Sequence, residues 1–144
     1  MKVIGLLGIA AAAAIAGCLP MAATAESPSL DGTAWVLTSL AGRPVTGPAV
    51  TGRFKNGRMQ GTDGCNRFTS TYTTNGSSIQ IGPKGAATQM ACLPDVMKQA
   101  EVFAAALAGA RTYRVNTGRL ELMGADGAIL STFTTQPRSL AGSS

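Results

Sequence analysis

The sequence predicts a mainly β fold: an antiparallel, cracked barrel-like sheet of seven or eight strands with one α-helix packed against it. Three observations carry this expectation. Short runs rich in β-branched and aromatic residues recur between Trp35 and Phe133, Gly-containing turn dipeptides punctuate them, and a single stretch after Pro94 has helical spacing. A lone helix among many antiparallel strands is accommodated when the sheet curls around a core and the helix closes an open side.

The N-terminus lies outside that unit. Lys2 precedes an uncharged run from Val3 to Leu19, which is shorter than the roughly 18 to 20 residues of a membrane-spanning helix. A positive start, an apolar stretch and then small residues make an export signal. Two cleavage sites compete. Ile15-Ala16-Gly17-Cys18 resembles a lipobox, which makes 1–17 a lipoprotein signal peptide and Cys18 the acylated first residue. Ala23-Thr24-Ala25 suits ordinary signal peptidase and would release a soluble periplasmic protein after Ala25. Residues 18–31 read as a tether, 32–134 as the folded domain and 135–144 as a disordered tail.

Within the domain, Trp35-Val36-Leu37 opens the first strand, and Ala41-Gly42-Arg43-Pro44 reads as a turn. Val50 to Phe54 alternates with period two, and Asn56-Gly57 turns it into Arg58-Met59-Gln60. After the bend GTDGCN comes Phe68 to Thr74. A second hairpin turn at Asn75-Gly76 leads into Ser78 to Ile81, and Gly82-Pro83-Lys84-Gly85 reads as a loop. Tyr113 to Val115, Leu120 to Leu122 and, after Asp126-Gly127, Ile129 to Phe133 complete the strands. The helix begins at Pro94 and Asp95, where a missing N–H does no harm and a carboxylate meets the positive dipole end. Val96, Ala100, Phe103 and Leu107 form its apolar stripe, and Gly109 is placed to stop it.

Composition excludes much chemistry. Histidine is absent, which removes the usual general base and the commonest zinc ligand. The seven acidic residues form no D-x-D or E-x-x-E pair, so neither a calcium loop nor paired-carboxylate catalysis is expected. The formal net charge is +5, but the Lys and Arg residues are scattered singly, without the clustering of a nucleic-acid footprint. The expectation is no enzyme, no cofactor, no metal and no nucleic-acid partner.

Three residues of the bend pose the main question, since Cys65, Asn66 and Arg67 could be a reactive site or the fastenings of a loop. Export places Cys65 and Cys92 in an oxidising compartment, where a disulfide is the expected state and two free buried thiols the alternative. Twenty-six residues lie between them, and closing such a loop is worth roughly 3 to 4 kcal/mol in the chain-entropy model. Asn66 suits a bend and can satisfy nearby backbone. Arg67 could pair with Asp63 or Asp95, or serve surface recognition. Met59, Met90, Met97 and Met123 read as core filler.

Gly64-Cys65-Asn66-Arg67-Phe68 with Tyr72 four residues on, Thr88-x-Met90-Ala91-Cys92, and a helix with Met97, Phe103 and Leu107 resemble the META (HslJ-like) domain family. Trp35-x-Leu37-x-Ser39-Leu40 and Gly42-Arg43-Pro44-Val45 resemble its opening strand and turn, and the match spans about residues 32 to 134. The chain departs from the family at Ser70, often Gly, and near Ala100, often acidic. The resemblance implies a barrel-like β fold with one helix in an exported protein that is often a lipoprotein, linked to heat response and envelope drug tolerance. It implies no known enzymatic activity, and no shared ligand.

The function expected is therefore a non-catalytic envelope lipoprotein, held at a membrane through Cys18 and contacting an unknown envelope protein, in an interaction or stress-related maintenance role. Leu19 beside the anchor favours the outer membrane, with the domain facing the periplasm. The alternative is a carrier holding an apolar or lipid ligand in the barrel. Binding is expected on a rim made by GTDGCNR and the Gly82–Gly85 loop, with Asn66, Arg67 and Lys84 as its candidates.

Overall fold

The computed structural model describes residues 28–136. The expected signal peptide, Cys18, most of the expected tether and nearly all of the expected tail lie outside them. In chain order the elements are β1 (Thr33–Leu40), β2 (Arg43–Pro44), β3 (Thr51–Lys55), β4 (Arg58–Thr62), β5 (Arg67–Asn75), β6 (Ser78–Ala87), α1 (Pro94–Gly109), β7 (Thr112–Asn116), β8 (Arg119–Met123) and β9 (Ile129–Thr135).

The hairpin chemistry fixes the strand order. Asn56 and Gly57 both take positive φ, of 51° and 77°, the geometry whose twist matches a two-residue hairpin, and β3 pairs with β4 directly across them. Each later strand then pairs antiparallel with its neighbour, and β1 pairs with β9 as well as with β3. Eight strands thus close into a barrel, with the two-residue β2 appended to β1. Closure removes the exposed edges of an open sheet. One seam is thin: β6 and β7 share the single register pair Ser78–Thr112. This is the crack expected of the barrel, and α1 joins the two strands that flank it.

Alternation along the strands builds the core. On β3 Phe54 points in while Arg53 and Lys55 are exposed, and on β5 Phe68, Ser70 and Tyr72 point in. Phe103 of α1 is the plug: its ring meets Phe68 of β5 edge-on at 5.8 Å and Phe133 of β9 at 6.3 Å. Burying such a side chain contributes about 2 to 3 kcal/mol. All seven aromatic residues of the chain are buried.

Several local expectations are corrected. Gly82-Pro83-Lys84-Gly85 is not a loop but continues β6, with Lys84 opposite Ser70. The register shifts on either side of Ser70, and such irregularity is how a paired strand tolerates Pro and Gly. The turn at Arg43-Pro44 instead pairs with Ser39 and Leu40. Pro94 and Asp95 do open α1, and it ends at Gly109, but not through a left-handed glycine: Ala110 follows at φ −65°, extended and fully buried. Of the methionines, Met59 is core and Met123 half-buried, whereas Met90 and Met97 are exposed. The order also begins before the expected domain start, since Leu30 is buried in the core and the Tyr113 hydroxyl donates to the Pro28 carbonyl.

Candidate functional site

The bend between β4 and β5 is held from three directions. Asp63 turns back on its own loop, its Oδ1 accepting from the backbone N–H of Cys65 at 2.8 Å and of Asn66 at 2.6 Å. Asn66 faces the other way. Its Oδ1 accepts from the Thr88 hydroxyl at 3.0 Å and from the Met90 N–H at 2.6 Å, which ties the bend to the segment leading into α1. The Cys65–Cys92 disulfide, with Cα atoms 5.9 Å apart, closes the same corner covalently. Asp63 and Asn66 are thus fastenings, and Cys65 is no thiolate.

Arg67 is different. Its backbone N–H donates to the Thr88 hydroxyl and its carbonyl accepts from the Thr88 N–H. Its side chain is exposed and pairs with neither Asp63 nor Asp95. Both ion pairs among the described residues converge on Glu121, from Arg114 at 2.7 Å and Arg119 at 3.8 Å. Asp63 of the bend shares a cavity wall with Gly82 and Pro83, while the hydrogen bonds of Asn66 run to Thr88 and Met90. Past them stand the exposed side chains of Met90 (61%) and Leu93 (75%). Met90 and Leu93 are part of this rim, and the family pattern around Cys92 was the sequence signal near them.

Arg67 also borders a groove of about 660 Å³ on the outer barrel face across β3 to β6, which the sequence reading missed. Thr51, Thr62 and Arg67 form one cross-strand row and Arg53, Gln60 and Thr69 the next. Period-two alternation already placed Arg53 outward. What it could not supply was the close approach of β3 and β4 at the facing pair Gly52 and Gly61. A β-carbon on Gly61 would overlap the Thr51 carbonyl, so glycine is required there by close approach of the strands.

A smaller apolar cavity of about 130 Å³ lies between α1 and β6, with Ser70, Phe103 and Ala100 in its wall. Among the described residues no group of three or more metal-ligating acids or cysteines gathers. No helix there is long and apolar enough to cross a membrane.

The META domain model matches residues 28–137, which takes in the barrel, the corner and the groove. The chain belongs to the META domain family. This META domain is similar in fold to the NMR structure of a protein from Burkholderia xenovorans, with 24% identity and a TM-score of 0.63 over 76% of this chain and 85% of that one. It is also similar to the crystal structure of a DUF4847 family protein from Bacteroides vulgatus, with 14% identity and a TM-score of 0.57 over 73% and 93%. No curated protein matches the chain. The family's paired motifs, Gly64–Phe68 and Thr88–Cys92, are the two segments that meet at the disulfide corner of this META domain.

Proposed function

We propose that this META domain is a non-catalytic binding module of the bacterial cell envelope, held at a membrane through an acylated Cys18. The observation that carries the reading is the rim at the disulfide corner: its backbone is fixed by the bridge and by Asn66, while Arg67, Met90 and Leu93 stay exposed. A rigid scaffold presenting unpaired Arg and Met side chains matches the composition of protein interfaces. A carrier role is less well supported. Large side chains fill the barrel, and the cavity beside α1, at about 130 Å³, is well below the 300 to 1,000 Å³ usual for ligand pockets.

Crosslinking in intact envelopes followed by capture of the full chain tests the reading, with Leu93→Asp as the probe. Leu93 sits at the N-cap of α1 without a side-chain cap, so an Asp there should hold or raise stability while placing a charge on the rim. The expected result is one specific protein partner with the wild type and its loss with Leu93→Asp. Equal recovery from both, or lipid in place of protein, would count against the rim. Mass spectrometry of the mature N-terminus reads the anchor: acyl chains on Cys18 are expected, and an unmodified chain starting at Glu26 would remove it.

A further inference from the structure

The groove across β3 to β6 has a lining distinct from the rim's apolar side chains. We propose that it takes an extended acidic segment of a partner protein through Arg53 and Arg67. This rests on the binding-module reading and names the chemistry of the partner.

Charge complementarity is the first support. Arg53 and Arg67 are both exposed, neither pairs with an acid among the described residues, and no carboxylate lines the groove. Between and beside them the lining carries the hydroxyl and amide side chains of Thr51, Gln60, Thr62 and Thr69, with Gly61, Ala86 and Ala87 leaving room for a backbone to approach. A guanidinium grips a carboxylate through two parallel N–H bonds, and neighbouring hydroxyls and amides can satisfy the peptide groups between acids.

Spacing is the second. Arg53 lies on β3 and Arg67 on β5, with β4 between them and one inward position separating their rows. Two strand spacings and a two-residue rise put their Cα atoms about 12 Å apart. An extended peptide advances about 3.3 Å per residue, so carboxylates two to four positions apart would meet both arginines.

Other polyanions fit less well. Every aromatic ring of the chain is buried, including Phe68 beneath the groove, so neither a sugar ring nor a nucleic-acid base finds an exposed face on which to stack. A lipid surface would ask for apolar side chains among the cations. The large exposed ones, Met90, Leu93, Met97, Val102 and Ile129, all lie outside the lining.

The test is fluorescence anisotropy of the full chain with a labelled peptide of alternating Glu and Ser, with a Gln-for-Glu peptide as control. Arg58→Gln removes the same charge from an exposed site outside the groove. Saturable binding to the acidic peptide is expected, weakened about tenfold by Arg53→Gln and by Arg67→Gln but little by Arg58→Gln, and falling with salt. An equal loss at Arg58→Gln would make the effect mere net charge and overturn the proposal. So would absence of saturation at low salt, or tighter binding to phosphatidylglycerol vesicles or to a sulfated glycan than to the peptide. Capture at the rim, read through Leu93→Asp, is scored separately, so failure of the groove leaves the binding-module reading standing on its own result.

Discussion

At the scale of residues, neighbours in the sequence divide the labour of the corner. Asn66 holds and Arg67 presents. The Asn66 carboxamide oxygen is the common acceptor for Thr88 and Met90, so Asn66→Ala would leave both donors without it. The half-exposed setting limits the loss to about 1 to 3 kcal/mol, and urea denaturation should show it. Arg67→Ala should change stability by less than about 0.5 kcal/mol in the same experiment, as expected of a surface side chain without partners. A comparable loss for both would return Arg67 to a structural role. Tyr72 gives a second residue-level expectation. Burial first, and then the nearby Asp31 and Tyr113, raise its pKa above the ordinary 10.0. The folded state therefore keeps the phenol proton longer than the unfolded chain does. Its contribution is intact below pH 10 and is lost as pH rises through the unfolded and then the folded pKa. Tyr72→Phe should flatten that alkaline decline in melting temperature, and an unchanged slope would show that other groups cause it.

At the scale of elements, the disulfide couples the start of β5 to the start of α1, and Phe103 couples the middle of α1 to β5 and β9. The helix is thus fixed at two points along its length, one covalent and one packed. Cys92→Ala should lower unfolding free energy by about 2 to 4 kcal/mol under oxidising conditions. The loss should be matched by reducing the wild type, because both remove the same link. Denaturant unfolding with and without reductant measures it, and a variant as stable as the oxidised wild type would mean that the Asn66 bonds alone secure the corner. Gln99 adds a third tie from α1, donating to the Thr46 carbonyl and accepting from the Thr46 N–H.

At the scale of the whole molecule, closure of the barrel decides which surfaces stay open. With β1 paired to β9, the described strands leave no long outer edge for a partner strand except along the thin β6–β7 seam, where α1 packs on β6. The interior is filled by Phe54, Phe103, Phe133, Leu120 and Leu122, each almost wholly buried. What is left for recognition is side-chain chemistry on the outside, and two such surfaces meet at Arg67: the rim beyond Thr88 and the groove across β3 to β6. A single partner could engage both at once, with its acidic segment in the groove and an apolar patch against Met90 and Leu93.

The sequence by itself determined the class of fold, because period-two alternation, Asn-Gly turns and one helical stripe are local signals that each strand or turn carries in its own residues. It also made a bridge the expected state of Cys65 and Cys92, the two cysteines inside the folded domain, and the structure joins them. Its failures were where distant segments set the outcome. Gly82 to Gly85 has the composition of a loop, yet pairing with β5 draws it into a strand. Met90 and Met97 have the composition of core, yet Met90 is exposed beside the corner and Met97 is exposed on α1. Arg53 and Arg67 read as scattered cations, and only the closed and folded sheet sets them along one groove. The physical reason is the same in each case. Local propensity is worth tenths of a kcal/mol per residue, whereas backbone pairing and burial against distant strands are worth more and are invisible until those strands are in place.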